Sequence, residues 1–166
     1  MTEPDRDPDG PAPSIGPTRP LTLLLAFAVA GVAAYLLVSR FYGDISVPLL
    51  PVFMFAVLAV IEGVLARATK ARIERRPGTE PMPPLSAARM IVLAKASSLA
   101  GAIFAGLYAG ALLYVLSVAD QLRAAAAEVP IAGGGVVTAA LLAGAALWLE
   151  RSCRIPPADD DDKPRD

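Results

Sequence analysis

The chain of 166 residues contains no histidine and no asparagine, and Cys153 is its only cysteine. Without histidine there is no imidazole for acid/base work, for haem ligation or for a His-type zinc site, and one thiol cannot close an intramolecular disulfide. Nothing beside Cys153 in its charged tail would complete a metal site, so this thiol reads as incidental. Also missing are a P-loop, a GxSxG nucleophile elbow and a dinucleotide fingerprint. An enzyme is therefore the least expected class, because the acids present have neither a nucleophile nor a cofactor site beside them. No metal or cofactor is expected.

Excess charge is missing too: the formal net charge is -1. Basic residues do cluster, but without interleaved aromatics or a recognisable module, which leaves no nucleic-acid partner. What the chain has in abundance is apolar surface. Its 55% hydrophobic residues and mean hydropathy of +0.53 exceed the roughly 45–50% apolar content of soluble domains. The lipid bilayer is the expected surroundings.

Four apolar stretches approach the roughly 20 residues needed to cross about 30 Å of hydrocarbon as a helix. Spans are expected at about 21–39, 48–67, 92–117 and 130–150, within a transmembrane domain over 19–155. The first, LTLLLAFAVAGVAAYLLV, could be confused with an export signal, but Glu3, Asp5, Asp7 and Asp9 precede it where such a signal wants basic residues. Pro48, Pro51 and Pro130 suit first helical turns, where a missing N–H has no partner to lose. Trp148 suits an interfacial anchor. The flanking segments, 1–18 and the acidic 156–166 with its DDDDK run, bury no apolar face and read as disordered tails.

Lys and Arg near the spans set orientation, since cytoplasmic flanks carry the excess. The first and third connections offer only Arg40 and Arg123, whereas the second carries Arg67, Lys70, Arg72, Arg75, Arg76 and Arg89. Both termini and the second connection are therefore expected in the cytoplasm. The fold class expected is an all-α membrane protein, four transmembrane helices in an antiparallel bundle.

The second connection divides into three pieces. Helix is expected to continue from Arg67 to Arg76 with basic residues on several sides, giving contact with anionic lipid headgroups of about 1 kcal/mol per residue and roughly 4 kcal/mol in all. RPGT at 76–79 is a turn signal, and the prolines that follow force an extended reversal. Ser86 can then cap the third helix.

Ionisable residues inside spans are functional candidates by default. Glu62 lies five residues before Arg67, about 7 Å inside the boundary by helix rise. Lys95 sits near the same depth on the third span. At 100° per residue Lys95 shares a side with Ser98, Ala102, Gly106, Ala109 and Leu113, and Ala102, Gly106 and Gly110 form a small-residue ridge suited to close helix packing. A Glu62–Lys95 ion pair pinning the second and third helices is the expectation, with a snorkelling lysine and a titrating transport carboxylate as alternatives.

The runs IEGVLARATKARIERRPGTEPMPPLSAARMIVLAKASSLAGA, GLYAGALLYVL and AGGGVVTAALLAGAALWLERSCRIP resemble the actinobacterial membrane proteins grouped as domain of unknown function 3180. The resemblance implies a multi-pass protein of the bacterial inner membrane and supplies no catalytic residue. The function expected is a non-enzymatic assembly or accessory module that associates with itself or another membrane protein. The alternative is a small proton- or ion-coupled transporter or exporter using Glu62.

Overall fold

Within hydrocarbon a backbone finds no water, so an apolar run of crossing length satisfies its N–H and C=O groups internally, as helix. The computed structural model describes residues 18–42, 46–73 and 84–153. They form four helices: α1 (Pro20–Phe41), α2 (Leu50–Ile73), α3 (Pro84–Val118) and α4 (Arg123–Ser152). All four are long and apolar enough to cross a membrane, and no strand occurs among the described residues. The protein is an all-α, multi-pass membrane protein. Residues 1–17 and 156–166 of the expected tails, Glu74, Arg75 and Arg76, the RPGT turn and the prolines at 81 and 83 lie outside the described residues, whereas Thr18, the last residue of the expected N-terminal tail, lies within them.

The helix ends differ from the sequence expectation at three prolines and a serine. Pro20 opens α1, where its fixed φ suits the first turn, with Arg19 extended before it. Pro48, in contrast, stays outside α2, which begins at Leu50 with Pro51 in its first turn. Pro84 opens α3, which leaves Ser86 inside the helix rather than capping it. Pro130 lies within α4. The alanine run 124–127 is among the best helix-forming sequences available, so helix begins at Arg123 and runs on through Pro130, which cannot bond to the Ala126 carbonyl and sets its ring against it.

The principal packing pairs are α3 with α4, α1 with α3, and α2 with α4. In space the order is thus α1, α3, α4, α2. The central pair is antiparallel: a Cβ on Gly101 would lie 2.9 Å from the Ala139 carbonyl oxygen and 2.8 Å from the Ala143 nitrogen, and Gly135 gives the Tyr108 ring its room. The flanking pairs are parallel. Along α1 and α3 the contacts rise together, Phe27 with Gly106 and Gly31 with Gly110. Two buried clusters occupy the α2–α3–α4 seam, one of Phe55, Ala105, Tyr108, Ala139 and Leu142, the other of Ala66, Ala94, Leu149 and Cys153. Large apolar side chains elsewhere on α1 and α2 point outward, as lipid-facing surfaces do.

Candidate functional site

Phe55, Glu62, Ala66 and Thr69 are the buried residues of α2. Their spacing keeps them on one stripe of a 3.6-residue helix, so the stripe that seats Phe55 in one cluster and Ala66 in the other also carries Glu62 inward. Glu62 is only 4% exposed. Its side chain has a hydrogen bond with Ser97 of α3, while Oε2 is buried and lacks a partner. A buried polar atom without a partner costs about 1–3 kcal/mol by protein mutational measures.

The structure brings Ser97 of α3 to Glu62. The half-buried Lys95 offers its backbone carbonyl to the Ser98 hydroxyl at 3.0 Å. α2 packs along α4 and also meets α3, where Phe55 lies on Phe104 with ring centroids 4.7 Å apart.

Arg67, Lys70 and Arg72 are exposed on the last turns of α2, and Arg89 on the first turns of α3. Positive charge at the C-terminal end of α2 complements the helix dipole. Arg67 also lies 5.7 Å from the Trp148 ring centroid, a cation–π contact that joins α2 to α4.

Of the small residues on α3, Ser98, Ala102, Gly106 and Gly110 are all buried. A Cβ on Gly106 would collide with the Phe27 carbonyl, and one on Gly110 with the Gly31 carbonyl; two bare backbones meet there. The contact continues to Tyr114, whose ring meets Tyr35 at 6.0 Å. It thus follows the inclined i+4 row of α3 rather than a line parallel to the axis, and Leu113, 63% exposed, is left outside it.

Two polar groups escaped sequence reasoning. Glu150 is 5% exposed, and it accepts from both the N–H and the hydroxyl of Thr18, at 2.9 and 2.5 Å. A threonine ahead of Arg19-Pro20 was the available signal, but its partner is remote in sequence. At the opposite end, Tyr42 packs at a tilt of 54° against Tyr114 with centroids 5.2 Å apart, and the Glu128 carboxylate of α4 lies against the Tyr42 phenol, with a side-chain hydrogen bond between them. Burial, and then the adjacent Glu128 charge, raise the Tyr42 phenol above its ordinary value. Burial likewise raises the Cys153 thiol. Among the described residues, no three His, Cys, Asp or Glu side chains group to hold a metal ion.

Residues 23–157 match the family model described as "Protein of unknown function (DUF3180)". No curated protein matches the chain, and no solved structure does.

Proposed function

The chain belongs to the DUF3180 family, and from that premise we propose that it is a non-enzymatic module of the bacterial inner membrane which associates with another membrane protein. Both termini face the cytoplasm in this reading, by the asymmetry of arginine and lysine between connections. The observation that carries it is an open groove on the outer face of α2 and α4. Ala56, Ala59 and Gly63 line one wall, Ala140, Gly144 and Ala145 the other. A Cβ added at Gly63 or Gly144 would meet nothing within 4 Å. In lipid, where apolar burial drives little helix association, small residues on two adjacent helices supply close van der Waals approach for a third. The groove is thus suited to a partner's transmembrane helix.

Crosslinking in native membranes followed by mass spectrometry tests this reading. A fixed partner polypeptide, linked through α2 and α4 and lost with Gly144→Phe, is the expected result. Recovery of the chain only with itself would count against it.

A second reading, a small ion- or proton-coupled transporter, draws on the unpartnered Oε2 of Glu62. Intramembrane carboxyls of this kind mark proton relays in pumps. Substrate-dependent proton release from purified protein, absent in Glu62→Gln, would favour it. Liposomes showing neither uptake nor proton coupling would remove it.

A further inference from the structure

A cavity of about 270 Å³ lies over α3, between α1 and the segment that opens α2. Ala34 and Val38 belong to one wall, Val47 and Pro51 to the other, and Phe104 and Ala111 to the floor. Each wall is pinned to that floor separately. On the α1 side backbone meets backbone at Gly106 and Gly110, with no room for a Cβ. On the α2 side the Tyr108 hydroxyl donates to the Pro48 carbonyl at 2.8 Å, and Pro48 and Pro51 stiffen the chain through their fixed φ. Beyond Pro51, α2 follows α4, and α1 and α2 are not a principal packing pair. The walls therefore stand apart, and the slot between them is built into the fold.

Chemistry and dimensions narrow the occupant. Among the described lining residues only Ser46 and Tyr108 carry polar side chains; the Tyr108 hydroxyl is engaged with Pro48, and Ser46 is exposed. Water, which needs about two to four polar partners, has no reason to enter. The lining reaches from Phe104 to Ala111 on α3, about 10 Å of depth at about 1.5 Å per residue. Spread over that depth, the volume leaves a section of roughly 27 Å². A helix with its side chains, about 10–12 Å across, needs roughly 80–110 Å², so a partner's helix does not fit. One extended hydrocarbon chain does.

The source of that chain follows from position. Leu37 also lines the slot and is 53% exposed, so the open side of the slot is continuous with the lipid-facing surface of α1. Left empty, the lining would lack dispersion partners on that side, and the surrounding bilayer supplies hydrocarbon to restore them. Hiding apolar surface gains little in lipid; the fit of chain to slot is what holds it. Thr18 meets Glu150 at one end of the bundle, and the cavity takes the last turns of α1, so it lies in the opposite half. We infer that the slot holds one acyl chain of a bilayer phospholipid, drawn from the leaflet opposite the Thr18–Glu150 contact, as a resident lipid. The site is independent of the α2–α4 groove and of Glu62.

Native mass spectrometry of the full chain, released from nanodiscs of dioleoylphosphatidylcholine, tests this. Loosely held lipid strips away on activation, and the expected result is one phospholipid retained per chain. Ala111→Phe fills the floor, and Ala33→Phe fills the slot from an exposed position on the α1 wall; each should cut the retained fraction about tenfold. Because Ala33 is exposed, its variant keeps the assay decisive if Ala111→Phe fails to fold. Ala28→Phe, also exposed on α1 but outside the slot, should leave retention unchanged. Nanodiscs of dioleoylphosphatidylglycerol should give the same occupancy within about twofold, because the slot reads a chain and not a headgroup. Retention confined to this anionic lipid would put the lipid on the basic residues at the end of α2 and overturn the proposal. No retained lipid, retention that both filled variants leave intact, or an equal loss in Ala28→Phe would overturn it as well.

Discussion

Thr18 and Glu150, 132 residues apart, share two hydrogen bonds: the carboxylate of Glu150 takes the backbone N–H of Thr18 at 2.9 Å and its hydroxyl at 2.5 Å. One acid at the end of α4 thereby anchors the start of α1. Hydrogen bonds to a charged group contribute about 1.5–3 kcal/mol each. Glu150→Ala should lower stability by about 3 kcal/mol, and Thr18→Val, which keeps the backbone bond, by about half as much. Thermal unfolding of the purified protein in detergent measures both. Equal losses from the two variants would mean that the hydroxyl carries the whole contact.

Glycines on the bundle divide into those with room and those without. Gly106→Ala and Gly110→Ala should each destabilise by about 1–3 kcal/mol, the usual cost of overpacking, because the added methyl meets α1 backbone rather than a side-chain tip that can swing aside. Gly63→Ala and Gly144→Ala, whose new methyls face open space, should change stability little or raise it. The same unfolding assay ranks all four.

For Glu62, the hydrogen bond with Ser97 predicts a measurable coupling. Ser97→Ala in the wild-type chain should cost about 0.5–1.5 kcal/mol more than in a Glu62→Leu background. Glu62→Gln keeps shape and hydrogen bond while removing the ionisable group, and should unfold no lower than wild type. A double-mutant cycle between Glu62 and Lys95 should give a coupling near zero; a large one would restore the ion pair expected from spacing.

The Cys153 thiol, buried and with its ionisation pushed upward, should resist alkylation. Only the thiolate reacts, and a raised value means less thiolate at any pH below it. Iodoacetamide at pH 8 should label the denatured chain at least tenfold faster than the native one, and native labelling should climb as pH rises past the ordinary thiol range. Labelling at the denatured rate would show an open Cys153.

The existence and number of the helices were legible because each apolar run reaches crossing length, a property of local composition. The inward stripe of α3 was legible for the same reason, since 100° steps placed Ser98, Ala102 and Gly106 together. Which helices touch was not legible. Short links between consecutive spans suggest consecutive packing, and the Glu62–Lys95 expectation relied on α2 lying along α3, whereas α2 lies along α4. Pro130 misled because its fixed φ fits both a helix start and the interior of a helix already begun in alanine. Glu128 and Glu150 carried no local signal, because each is completed by a residue far away in sequence, Tyr42 or Thr18.

The spatial order α1, α3, α4, α2 has a consequence for biogenesis. A nascent chain that has inserted α1 and α2 holds two helices that are not each other's principal partners, so the first hairpin to leave the ribosome has little interface of its own. α1 must wait in the bilayer for α3, and α2 for α4, before either has its proper neighbour. Helix insertion and helix assembly are separable stages in membranes, and here they are forced apart in time: the last hairpin synthesised is the scaffold on which the first two spans are mounted.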